Sequence, residues 1–116
     1  MIDPKQPLPP QILVTAEDGN VTSFIDVDKL QSDATRLMYQ LAVTAGDDDA
    51  TDEVSTEWVT AHDPEYFGYL AAAALSLMTR CILGPILEVT DAMGVNLRAG
   101  LQDSADNAEE AFGNNN

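Results

Sequence analysis

One cysteine, Cys81, stands among 116 residues. No disulfide within the chain can staple it, so its stability has to come from packing. Because it sits in an apolar stretch, Cys81 is expected to be a buried, unreactive thiol. Basic residues are almost as scarce. Lys5, Lys29, Arg36, Arg80 and Arg98 face 20 acids, for a formal net charge of −15. That balance argues against direct binding of nucleic acid, which needs clustered Lys and Arg. It argues equally against anionic membrane surfaces. There is one histidine, His62, and no Cys–His spacing of a zinc site. A P-loop and a GxGxxG turn are also missing, so no cofactor is expected. The start, "MIDPKQPLPP", has no apolar core of a secretory signal, and a cytoplasmic protein is expected.

A long hydrophobic run is also lacking. "YFGYLAAAALSLMT" spans 66–79, and Arg80 closes it after 14 residues. Crossing a bilayer takes about 20. The "CILGPIL" that follows carries Gly84 and Pro85. The expectation is a buried helix and no membrane.

What is present is 45% hydrophobic residues in a chain of single-domain length. Residues 1–11, with Pro4, Pro7, Pro9 and Pro10, read as an extended arm. Residues 12–112 read as one α-rich domain, and 113–116 as a disordered tail. "ILVTAEDGNVTSFIDV" (12–27) reads as a β-hairpin, because β-branched and aromatic residues flank an Asp-Gly turn. Two strands alone are marginal in water, so this hairpin has to pack on helices or pair with another chain.

An amphipathic helix follows at about 29–45, with Asp28 as N-cap and Gly46 just past its end. Leu30, Ala34, Leu37, Met38, Leu41 and Ala45 recur at three- and four-residue steps and make its apolar face. Val54, Trp58 and Ala61 keep the spacing of a shorter helix, and Trp58 is expected to be buried on it. Asp63 and Pro64 then form a helix start.

The helix from there to about 83 is apolar nearly all round. Phe67, Leu70, Ala74, Met78, Cys81 and Ile82 make a broad face. Gly68, Ala72 and Ser76 make a face of small residues on which another helix can approach closely. Phe67, Leu70, Gly68, Ala72 and Ser76 are therefore the candidate packing or oligomer interface. Gly84-Pro85 is expected to turn a sharp corner, since Pro85 has no N–H to donate and clashes with the preceding turn. A second long helix, about 86–111, is read from Ile86, Val89, Met93, Leu97, Leu101, Ala105, Ala108 and Phe112. The expected fold is thus mainly α, with a small N-terminal β-hairpin. Its helical domain is built on a two-helix hairpin (about 64–83 and 86–111) plus the amphipathic helix at about 29–45.

The charge is unevenly spread. Residues 47–65 carry eight acids and no base, more than half of the net −15. Asp47, Asp48, Asp49, Asp52, Glu53 and Glu57 crowd its first eleven residues. The run fails as an EF-hand, because Asp52 and Trp58 fall where glycine and glutamate are required. Acids in the first turn of a helix are favoured by its dipole. Asp49, Glu53 and Glu57, at four-residue steps, repel one another. These six acids are the candidate surface for a partner protein, a basic one above all. His62 beside Asp63 has the form of a general base, but no local motif marks a nucleophile, and a solvent-edge capping role fits it better.

The leading expectation is a non-enzymatic interaction or assembly subunit, as a homo-oligomer or as part of a larger complex. The alternative is an acidic inhibitor, a nucleic-acid mimic seated in a basic groove of its target. No catalytic residue and no metal ligand is assigned.

Overall fold

The structure, a computed structural model, describes residues 11–15 and 21–113, with side-chain surroundings from residue 25 onward. The proline-rich arm up to residue 10, the Asp-Gly turn of the hairpin and residues 114–116 lie outside the described residues. By its contacts the chain divides into two compact units, Met1–Met78 and Thr79–Asn116.

In the first unit, β1 (Gln11–Thr15) pairs antiparallel with β2 (Val21–Asp26), in register from Gln11↔Asp26 to Val14↔Ser23 and with a bulge before Thr15. The strand pair runs straight into α1 (Val27–Ala42). Asp26, not Asp28, is the N-cap. Its carboxylate accepts a hydrogen bond from the Lys29 backbone N–H at 3.2 Å, and Asp28 lies in the first turn. The cap falls two residues early because β2 ends in an extended Asp26, which already has the backbone a cap needs. Leu30, Ala34, Leu37 and Met38 are buried at helical spacing, as expected, and so is Val27, which opens the helix instead of ending the hairpin; Leu41 is half-buried and Ala45 lies beyond the helix end.

Gly46 takes the left-handed conformation (φ 94°) that lets the chain turn, and Asp47 starts α2 (Asp48–Ala61). The Asp47 carboxylate accepts from the Ala50 N–H at 3.1 Å. Trp58 is buried, at 6% exposure, as expected; of the two residues that share its spacing, Val54 is half-buried and Ala61 is exposed. His62 caps the end of α2. Asp63 then accepts from the backbone N–H groups of Glu65 and Tyr66, and α3 (Pro64–Met78) begins with its proline where no donor is needed. Leu70 and Ala74 of α3 are buried.

The chain is mainly α with a small N-terminal β element, but the expected corner at Gly84-Pro85 is not formed. Helical backbone runs unbroken from Pro64 to Ala92, 29 residues. Thr79–Leu83 is a π-helical turn, and α4 (Gly84–Ala92) continues from it. The reason lies in the hydrogen-bond ladder. A π turn bonds five residues back instead of four, which relaxes the ladder where Pro85 can neither donate nor fit the ordinary turn. The residue before the proline is the one that suits this. A Cβ on Gly84 would approach the Thr79 carbonyl oxygen, five residues back, to 3.3 Å.

The true break comes about ten residues later, at Met93–Asn96, where Gly94 has φ 79°. There α5 (Leu97–Phe112) starts, with Asn96 accepting from the Ala99 N–H at 3.2 Å. Cys81 is exposed, not buried. The π turn takes more residues per revolution, so positions beyond Met78 leave the α phase that linked Cys81 to Ala74.

Candidate interaction surface

The centre of the first unit is a polar joint that the sequence reading missed. Asp33, on the buried face of α1, is 8% exposed. Its Oδ2 accepts from Lys29 Nζ at 2.7 Å, one turn back, and from the Tyr66 hydroxyl of α3 at 2.7 Å. Arg36 Nη1 lies 3.6 Å from its other oxygen. Burial alone would push the Asp33 carboxyl up. The hydrogen bonds from Lys29 and Tyr66, with the Lys29 and His62 charges, outweigh it and hold the group below the usual carboxylate range. The Asp33 hydrogen bond raises Lys29, and burial followed by the Asp33 carboxylate raises Tyr66.

A ladder of rings stands beside this joint. Trp58, His62 and Tyr66 recur every four residues across the α2–α3 junction. The ring centroids are 5.0 Å apart for Trp58–His62 and 5.8 Å for His62–Tyr66. Lys29 lies over Tyr66 and Arg36 over Trp58, at 4.6 and 5.3 Å. Trp58 Nε1 donates to Gln40 Oε1 at 2.8 Å. His62 Nδ1 lies 2.8 Å from the Trp58 carbonyl oxygen, which can only accept, so Nδ1 carries the proton. His62 is therefore a capping and stacking residue. Two of the chain's five bases are held on Asp33, and Arg98 is held on Asp91 at 2.7 Å. The four-residue recurrence of Trp, His and Tyr was visible in the sequence; the buried aspartate was not, because its partner lies 33 residues away.

On the other edge of α2 is an apolar groove of about 190 Å³. Leu37, Met38 and Leu41 of α1 form one wall. Phe67, Ala71, Ala74, Leu75 and Met78 of α3 form the other, and Ser55 of α2 closes the side. Leu75 stands at its mouth, 70% exposed. Ser55 is the only hydroxyl in the lining.

The six candidate acids share one ordered helix start. Asp47 caps α2, Asp48 and Asp49 lie in its first turn, and Asp52, Glu53 and Glu57 follow; all six are exposed. Asp52, Glu53 and Glu57 line an open depression with Thr56. The five small-face and apolar candidates separate. Gly68, Ala72 and Ser76 are exposed, Phe67 is half-buried in the groove wall, and Leu70 is wholly buried at 0% exposure. Gly68 has open space around it. Among the described residues no group of three or more His, Cys, Asp or Glu is placed to hold a metal ion.

In the second unit Leu87 is buried, but most of the large apolar side chains are exposed. Ile86, Val89, Met93, Leu97, Leu101 and Phe112 are all exposed, and α5 has no buried residue. Compared with family models, curated proteins and solved structures, the chain matches none.

Proposed function

We propose that this chain is a non-enzymatic interaction or assembly subunit, whose uncovered apolar helices are covered by protein in the working state. One observation carries this reading. The helical run Pro64–Ala92 is apolar along most of its length, yet only 17% of its most apolar eighteen residues are buried. A soluble core helix would be covered, and monomers seldom leave contiguous apolar patches of this kind to water.

The same run is long and apolar enough to cross a membrane, by length and composition alone. Its first half has another use. Leu70 and Ala74 pack into the first unit, and Tyr66 is bonded to Asp33. That leaves 79–92, shorter than the roughly 20 residues a span requires. Protein cover is the reading that uses both halves.

The alternative, an acidic inhibitor that occupies a basic groove, draws support from the exposed acids of α2, which stand on ordered helix and not on a loop. Both readings involve a protein partner.

The test is the mass of the particle that contains this chain in native extract at physiological salt, set against the purified chain. An assembly larger than the 12.5 kDa protomer is expected in at least one of them. A 12.5 kDa monomer in both would overturn the reading.

A further inference from the structure

We infer that the apolar groove of the first unit receives an amphipathic helix of a different protein, with apolar anchor residues flanked by Lys and Arg. This deepens the reading above and rests on it. Three observations combine. The groove is apolar and open to solvent, with Leu75 at its mouth 70% exposed. It has room for one or two apolar side chains at about 190 Å³. Its α2 side carries negative charge. Residues three and seven positions before Ser55 lie on the same side of a helix as Ser55. Those residues are Asp52 and Asp48, both exposed. No charged residue lines the groove itself.

An apolar slot closed on one side by a helix that carries exposed acids selects against an acidic occupant and for a basic one. That decides against a second copy of this chain. Each copy brings a net −15, and its own apolar helix α5 is flanked by Asp103, Asp106, Glu109 and Glu110. Docking one copy in the groove of another would set acid against acid. A chain with Lys or Arg beside its anchors meets complementary charge.

The test uses the full chain and three designed helical peptides, with affinity read by fluorescence anisotropy. One peptide has Leu anchors flanked by Lys. The second has Leu anchors flanked by Glu. The third has Lys flanks and Gln in place of Leu. The Leu/Lys peptide is expected to bind at least about tenfold more tightly than either of the others. Ala71→Phe, which fills the slot, and the paired change Asp48→Asn with Asp52→Asn are each expected to remove most of that preference. A control with the same charge change elsewhere, Asp28→Asn with Glu88→Gln, is expected to leave it in place. The acid pair is exposed, so it carries the test even if Ala71→Phe fails to fold.

Equal binding of the Leu/Lys and Leu/Glu peptides overturns the inference. So does tight binding that survives either a folded Ala71→Phe or the acid pair. An oligomer of this chain that Ala71→Phe breaks up, with no peptide bound, assigns the groove to a second copy and overturns it too. The particle mass is independent of these results. A large assembly without Leu/Lys binding sinks this inference and leaves the interaction reading standing. A monomer both in extract and as the purified chain sinks the reading itself.

Discussion

Helices α1 and α5 are each 16 residues long and each has one apolar face, yet α1 buries six residues and α5 none. The difference is not in pattern. Leu30, Ala34, Leu37 and Met38 recur much as Leu97, Leu101, Ala105 and Ala108 do. It lies in what surrounds each face. α1 has β2, α2 and α3 around it, fixed by the Asp33–Tyr66 bond and the Trp58 stack. α5 follows a glycine turn and presents its face to solvent. An isolated helix of this length is marginal in water. Gly100 and the acids Glu109 and Glu110 near its C-terminus weaken it further. Amphipathic pattern shows that a face is to be covered, but not by which chain.

The largest effect that would sharpen this contrast is at Trp58. Trp58→Ala is expected to cost about 3–5 kcal/mol of unfolding free energy, the range for truncating a buried aromatic. Phe112→Ala, at a side chain 71% exposed, should stay within about 0.5 kcal/mol in the chain alone. Urea denaturation of both variants measures this. Equal costs would mean that α5 is packed as firmly as α2.

Next comes the polar joint. Tyr66→Phe leaves the buried Asp33 carboxylate without one of its donors and is expected to cost about 1–3 kcal/mol. Leu101→Ala has no such partner to strand. The joint also sets a pH dependence. Asp33 is held below its ordinary value of 3.8, so its contribution is present above that value and is lost as pH falls through the folded-state pKa. Lys29 and Tyr66 are raised above 10.5 and 10.0, so theirs is present below those values and is lost as pH rises past the folded ones. Unfolding of the first unit should therefore ease below about pH 4 and again in strong alkali. Asp33→Asn should flatten the part of the acid limb that this group supplies. An acid limb unchanged in Asp33→Asn would show that other carboxylates carry it.

The smallest effect concerns the acidic face. Neutralising Asp49, Glu53 and Glu57 as Asp49→Asn, Glu53→Gln and Glu57→Gln should leave the fold intact. It should stabilise α2 slightly, by about 0.2–0.5 kcal/mol for each like-charged pair relieved. Association with a basic partner should slow, most at low salt. A thermal melt and a stopped-flow association rate check the two halves separately.

The α-rich class, the helix start at Asp63 and the buried Trp58 were legible from local chemistry, because caps and helical spacing are local. The corner at Gly84-Pro85 was misplaced, since proline forbids an ordinary α turn but not a π turn, and residue types alone do not separate the two. Cys81 was misjudged for the same reason, because the π turn shifts the helical phase there. Asp33 was passed over as one acid among many; its donor Tyr66 is brought to it only by the packing of α3 on α1. The groove was half legible. Phe67 was singled out for its face, and the acids for their number, but only the fold sets Ser55 of α2 beside the slot.

The contrast between α1 and α5 is tested most directly by amide hydrogen exchange on the chain as a monomer and in its native assembly. The α1 amides are expected to be protected in both. Those of α5 are expected to exchange freely in the monomer and to become protected in the assembly. Protection of α5 equal to that of α1 in the monomer would contradict the claim that its cover comes from another chain.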